Sequence, residues 1–226
     1  MIIGSDEVFN YTQNHAFGYV PCLFGHEIEA PIIASYAASA GYANWDDVQR
    51  DGMQNELATG FKRMTRIAVR DENTRALVES CIGDSPSMVI DPTLIYDFSA
   101  EIPMQPVLKP GYLLVYAYEG RMESESEIVA IKNFAREAGL RVVSAGFYHE
   151  WCDENVVVTP FELLRIFADA AFVVTDTFHG SIFALKAGKR LATLIRENSQ
   201  WGSNSNKVRF LLEQFGMESR ILGDMN

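Results

Sequence analysis

The chain has 226 residues, 48% of them hydrophobic, and a formal net charge of −11. That length suits one large domain or two small ones, and that apolar fraction supports a packed core rather than a disordered polymer. The negative balance argues against non-specific nucleic-acid binding and against anionic membrane surfaces, and no apolar run reaches the ~18–20 residues that span a bilayer.

Met1-Ile2-Ile3-Gly4 reads as a parallel strand that starts abruptly, with no secretory leader visible. The abrupt start predicts that the first βα units of this unit are missing. Gly4-Ser5-Asp6 follows as a turn in which Ser5 or Asp6 either caps a helix or meets a ligand. Residues 11–30 are irregular and aromatic and predict a surface loop or lid; His15 and His26 in it are solvated or supply a proton. Residues 31–39 read as the second strand, with Ser35, Ser39 and Gly41 at its end. Small residues there either admit a ligand or allow tight packing.

A helix is predicted within residues 53–64, with Leu57 and Phe61 on one face, and a third strand over 66–69. Asp71 can cap the next helix, whose Leu77, Val78, Cys81 and Ile82 form an apolar stripe before Gly83. Arg70, at the strand end, either forks onto a carboxylate or phosphate of a ligand or pairs with an acid of the chain. Residues 87–91 read as the fourth strand, and Asp91-Pro92 as a turn start. The prolines between 98 and 110 mark a linker, dividing the chain into 1–108 and 109–226.

The second half alternates regularly. Strands are predicted at 112–118, 141–147, 171–174 and 190–195, with helices between them. The helix at 123–138 should bury Ile128, Ile131, Phe134 and Ala138. His149, Trp151 and Cys152 fall in a loop, and Thr159-Pro160-Phe161-Glu162 is a capping box with proline at the first helical position. Residues 199–206 read as a mobile loop before a last helix carrying Val208, Leu211, Leu212 and Phe215. The fold class is therefore α/β: two parallel-sheet units whose strand ends could face one another. Cys22, Cys81 and Cys152 are odd in number and far apart, which predicts buried thiols in a reducing compartment rather than a disulfide frame or zinc site.

The stretch at 171–188, Ala-Phe-Val-Val-Thr-Asp-Thr-Phe-His-Gly-Ser-Ile-Phe-Ala-Leu-Lys-Ala-Gly, is the centre of the functional reading. It predicts a buried strand, a tight turn and a short helix. Ligands of open parallel sheets meet the carboxyl ends of strands, where helix N-termini present N–H groups to anions. His179 sits on that turn and is either the reactive group or a histidine that bonds a nearby carbonyl.

Five segments together resemble the polysaccharide pyruvyl transferase family: Gly4-Ser5-Asp6-Glu7-Val8-Phe9-Asn10, Ser35-Tyr36-Ala37-Ala38-Ser39, Val69-Arg70-Asp71-Glu72, Asp91-Pro92-Thr93-Leu94, and the run from Val174 to Ala184. They fall in the family's order over nearly the whole chain. The resemblance implies two Rossmann-like units in a glycosyltransferase-B-like arrangement, the first incomplete here. It implies transfer of pyruvyl from phosphoenolpyruvate to a sugar of a cell-surface polysaccharide, as in exopolysaccharide biosynthesis. Phosphoenolpyruvate is then the donor substrate, no resident cofactor or metal is required, and a carbohydrate is the acceptor. The site residues implied are His179 and Asp176 for catalysis, and Gly4, Ser5, Asp6, Ser35, Arg70, Thr177, Gly180 and Arg196 for binding. A cytoplasmic location and a homo-oligomer are compatible expectations. Thr177 stands where characterised members carry an arginine, and Arg70, Arg196, Lys207 or Arg209 could supply that charge. A sugar-nucleotide glycosyltransferase and a non-catalytic binding protein are the competing readings.

Overall fold

Capped helices alternate with short apolar strands, and this rhythm produces two units in the computed structural model, which describes residues 1–13, 18–195 and 205–223. The first unit spans Met1–Tyr96 and the second Asp97–Asn226. The division precedes the proline segment because that segment belongs to the second unit: Arg165 donates to the carbonyls of Pro103 and Met104 at 3.4 and 3.2 Å, and Lys186 lies 5.5 Å from the centre of the Phe98 ring.

The first unit runs β1 (Ile2–Ile3), β2 (Ala34–Ser35), α1 (Trp45–Arg50), α2 (Gln54–Arg63), β3 (Ala68–Val69), α3 (Glu72–Ile82), β4 (Ser87–Met88) and α4 (Pro92–Ile95). β1 pairs with β2 and β3 with β4, all parallel, and bridges Ala34–Arg66 and Ala38–Val69 link the two pairs. The second strand is shorter than the apolar run at 31–39 predicts, because Ala37 turns left-handed at φ 53° and ends the extended run. Asp71 caps α3 through the Thr74 amide at 2.8 Å, as expected. Helix α1 was not anticipated, although Asn44 and Asp47 form a reciprocal capping box before it. The segment at 11–30 is not a lid where it is described: Phe24 is fully buried, with its ring 5.7 Å from Phe9 and 5.8 Å from Phe61.

The second unit runs β5 (Tyr112–Tyr116), α5 (Glu125–Glu137), β6 (Arg141–Ala145), β7 (Glu154–Val156), α6 (Pro160–Asp169), β8 (Phe172–Thr175), α7 (Phe178–Lys186), β9 (Arg190–Leu194), α8 (Ser205–Gln214) and β10 (Ile221–Leu222). Among the described residues, six strands form one parallel sheet in the order β10-β9-β8-β5-β6-β7. The chain starts in the middle at β5, moves outward to β7, then returns across the sheet to β8 and moves outward the other way. With right-handed crossovers, that reversal sets α5 on one face and α6 and α7 on the other. α6 and α7 pack through the edge-on rings of Phe167 and Phe183, 5.7 Å apart.

The central strands are fully enclosed: Leu113, Leu114 and Val115 of β5 and Val173 of β8 have no exposed surface. That is why they read as continuous apolar runs rather than alternating ones. Buried Tyr112 keeps its hydroxyl satisfied by donating to the Ile166 carbonyl at 2.7 Å, which ties α6 to the sheet. Helix α5 is rotated from the predicted face: Ile131 and Ala135 are buried, while Phe134 is 41% exposed and lies edge-on to Phe172. The edge strands β7 and β10 were not anticipated. The predicted loop at 199–206 falls mostly outside the described residues, and its last two residues already belong to α8. The three cysteines are unpaired, and half-buried rather than buried as predicted.

Candidate active site

The reversal in strand order falls between β5 and β8, and open α/β sheets bind ligands at the carboxyl ends of strands at such a point. The side chains that follow these two strands therefore define the candidate site. Tyr116 and Thr175 are register partners, so the next residues, Ala117 and Asp176, leave the sheet side by side.

A network of hydroxyls fixes the turn after β8. Thr175 donates across to the Tyr116 carbonyl at 2.6 Å, and its Oγ1 accepts from the Thr177 amide at 3.1 Å. Thr177 is the N-cap of α7, its Oγ1 accepting from the Gly180 amide at 2.9 Å. Ser181 donates to the Thr177 carbonyl at 2.9 Å and sits 3.2 Å from Thr193 Oγ1 on β9. These four side chains are at most 4% exposed, and their mutual bonds hold the turn rigid. Gly180 is required by that closeness: a Cβ there would lie 2.6 Å from Thr177 Oγ1 and 2.8 Å from Tyr116 Cδ1, and would overlap Thr175 Oγ1.

His179 is in the first turn of α7, partly exposed, with its ring stacked 6.3 Å from Phe183 and edge-on to Phe178 at 5.5 Å. The helix has no acid in its first turn, so its positive end is not offset from within. Asp176 is fully buried, and its Oδ2 lies 3.7 Å from Nη1 of Arg121.

Arg121 is the residue that sequence reasoning passed over. It follows β5 in a tight turn, where the Arg121 amide donates to the Tyr118 carbonyl at 3.1 Å and Gly120 takes φ 76°. A glycine at that position of the turn meets the positive φ without a Cβ penalty. The next residue, Met122, holds φ 55° with only 1% of its surface exposed. A buried non-glycine residue in the left-handed region is a strained anchor, of a kind that gathers at functional sites. The guanidinium packs 4.8 Å from the centre of the Tyr118 ring. The sequence signal was available: a Gly-Arg pair directly after a buried strand.

His149 braces the same turn. It is 2% exposed, and its Nε2 lies 3.1 Å from the Ala117 carbonyl, so that nitrogen carries the proton and donates. The amide group of Asn155 pairs with the His149 backbone at 2.8 and 3.0 Å, which fastens this loop to β7.

The remaining predicted residues lie in the first unit. Arg70 follows β3 and is 5% exposed; its Nη1 donates to Asp91 at 2.7 Å, and its Nη2 to Asp6 at 3.4 Å. The structure thus brings Asp6 and Arg70 together, with Asp91 as a buried counter-charge. Asp91 also caps α4 through the Thr93 amide at 3.0 Å, so its turn role and its ion pair coexist. The Ser35 hydroxyl donates to the Ala68 carbonyl at 3.2 Å and accepts from the Ala68 amide at 3.1 Å, joining β2 to β3. Gly4 and Asp6 are exposed and Ser5 is half-exposed after β1. Arg196 and His15 lie outside the described residues. Among the described residues no group of three or more His, Cys, Asp or Glu side chains could hold a metal ion, and no helix is long and apolar enough to cross a membrane.

Two Rossmann-like parallel-sheet units make this an α/β protein of the glycosyltransferase-B-like class. Its structure is similar to that of a Listeria monocytogenes protein assigned as a UDP-N-acetylglucosamine 2-epimerase, with a TM-score of 0.53 and 9% identity over 97% of this chain. The chain spans 65% of that protein's length. The E. coli heptosyltransferase WaaC with ADP-2-deoxy-2-fluoro heptose aligns over 96% of this chain and 98% of its own, at 14% identity and a TM-score of 0.37. Residues 1–198 match the family described as polysaccharide pyruvyl transferase, and the chain belongs to it. No curated protein matches the chain.

Proposed function

We propose that this protein transfers pyruvyl from phosphoenolpyruvate to the hydroxyls of a sugar destined for a cell-surface polysaccharide. The observation that carries this reading is the turn from Asp176 to Gly180, which sets His179 at the start of α7 on the switch point of the second sheet. Membership of the family supports it.

The chemistry needs a proton for the methylene carbon of the donor, a place for its anionic groups and a base for the acceptor. His179 gives a proton to that carbon, which becomes a methyl group. The electrophilic carbon bearing the phosphate ester takes the first sugar oxygen, whose proton leaves to a base. The C–O bond to phosphate then breaks, and phosphate departs with the bonding electron pair. The second sugar hydroxyl adds to the resulting oxocarbenium carbon to close the ketal, its proton passing to the departing phosphate. Asp176 orients the imidazole or the acceptor hydroxyl, and the start of α7 favours the donor's negative charge. Phosphoenolpyruvate is consumed as a substrate, so the reaction needs no resident cofactor. The work is set in the cytoplasm, where the donor is made.

Phosphate release from phosphoenolpyruvate in the presence of candidate acceptors tests the reading. Wild-type protein should release phosphate only when acceptor is present. Release of a nucleoside diphosphate from a sugar nucleotide, with phosphoenolpyruvate untouched, would replace this reading with glycosyl transfer.

A further inference from the structure

Beside the Arg121–Asp176 pair the second unit opens a cavity of about 340 Å³ lined, among the described residues, by Tyr118, Glu119, Arg121 and Phe147. Its chemistry is uneven. Tyr118 and Phe147 form an aromatic wall, with rings 5.1 Å apart at 73°. Opposite charges come from Glu119 and Arg121. The Arg121 side chain is only 17% exposed, yet it makes no hydrogen bond to any described residue, and its 3.7 Å approach to Asp176 exceeds hydrogen-bond distance. Five N–H donors sit on that group, and a mostly buried guanidinium ordinarily finds acceptors. The glycine turn and buried Met122 set the backbone on either side of it, and the guanidinium lies 4.8 Å from the centre of the Tyr118 ring.

We infer that this cavity is the acceptor subsite, and that it takes a sugar ring bearing an anionic group, either the carboxylate of a uronic acid or a phosphate. The fork of Arg121 matches the planar edge of a carboxylate or two oxygens of a phosphate. The rings of Tyr118 and Phe147 face the apolar C–H side of the pyranose, and Glu119 accepts from a hydroxyl. Cavities of this size hold ligands of a few to a few tens of heavy atoms, which suits a monosaccharide unit with its anion. His149 is a positioning residue here, because its bond to the Ala117 carbonyl fixes the strand end from which Tyr118 and Arg121 project. This assignment of the acceptor rests on the transfer reading, but binding at the cavity is measured without any turnover.

The experiment is calorimetric titration of the full chain with glucuronic acid, glucose 1-phosphate, glucose and phosphoenolpyruvate, one at a time. Wild-type protein should bind one of the two anionic sugars at least about tenfold tighter than glucose, the amount a charge-assisted hydrogen-bonded pair contributes. Which of the two binds identifies the anion. Arg121→Gln should remove that preference and Arg121→Lys should retain part of it. Arg121→Lys should melt within a few degrees of wild type, and Arg121→Gln lower but still cooperatively, because it leaves buried Asp176 without its counter-charge. Equal affinity for glucose and for both charged sugars would overturn the inference, as would an undiminished preference in Arg121→Gln. Displacement of the bound sugar by phosphoenolpyruvate in wild type but not in Arg121→Lys would also overturn it, since the cavity would then hold the donor. If the sugar preference holds and no phosphate is released with any acceptor, the transfer reading fails while the subsite stands.

Discussion

Arg121 and Asp176 face each other across the point where the second sheet reverses its strand order, Nη1 to Oδ2 at 3.7 Å, with Asp176 fully buried and Arg121 17% exposed. They come from different strand ends, β5 and β8, which are 55 residues apart in sequence (176 minus 121). A carboxylate without exposed surface needs a compensating charge, and Arg121 is the cation that the fold delivers to it. Changing Asp176 to Ala leaves the guanidinium beside a void. We expect a loss of about 1–3 kcal/mol in urea denaturation, less than for a pair sealed on both sides, and loss of transfer. Unchanged stability together with unchanged turnover would show that the two groups are bystanders.

His179 is partly exposed, stacked on Phe183 and edge-on to Phe178, on a turn whose shape is set by the hydroxyls of Thr175 and Thr177, so its removal should leave the fold intact. His179→Ala is expected to abolish phosphate release while shifting the melting temperature by no more than a few degrees. A variant that still turns over at the wild-type rate removes this imidazole from the chemistry.

Gly180 is a packing residue as well as part of the turn. Gly180→Ala forces a methyl group against Thr175, Thr177 and Tyr116, all of which are held by their own contacts. A cost of about 1–3 kcal/mol is expected from overpacking, measured as a lowered midpoint in denaturant. Wild-type stability in this variant would mean that the hydroxyl network is looser than the geometry implies.

Thr177 caps α7 and also carries the hydroxyl chain onward. Thr177→Val keeps the shape and removes the cap, so about 1 kcal/mol of stability should be lost. Activity should fall more than stability, because the same cap aims the helix start at the site. Parallel denaturation and phosphate-release assays separate the two effects.

The thiols offer a pH test. Burial pushes Cys81 up to about 11 and Cys152 up to about 12, the latter also raised by the nearby Asp153. Both stay protonated at pH 8, and alkylation by iodoacetamide should be slow until the protein unfolds. In the native state these thiols hold their protons to higher pH than in the unfolded chain. Their contribution to stability is therefore complete below about pH 8.5 and fades as pH rises towards 12. Rapid alkylation of native protein at pH 8, mapped to Cys152, would contradict the burial.

Much of the fold was legible because its signals are local. Asp71 before α3, the capping box Thr159–Glu162 before α6, and the apolar runs of β5 and β8 each act within a few residues, and each appears where the sequence predicts. Of the elements not anticipated, α1 carries a local capping box, but the edge strands lack that local strength. β7 and β10 are edge strands of three and two residues, extended only because the sheet beside them offers hydrogen-bonding partners. Phe134 was placed inside by helical spacing, but the rotation of α5 on the sheet is set by Ile131 and Ala135.

By itself, the sequence determined the alternation of strands and capped helices, the turn that carries His179, and the ordered motifs by which the family is recognised. These depend on backbone preferences and side-chain caps that act over one or two turns of chain. Only the tertiary structure decided which charges meet. Arg70 is drawn to Asp91 and Asp6 in the first unit, and Arg121 to Asp176 in the second, because strand order brings distant strand ends together. A buried charge takes the counter-charge that topology sets beside it, and sequence spacing carries no record of that choice.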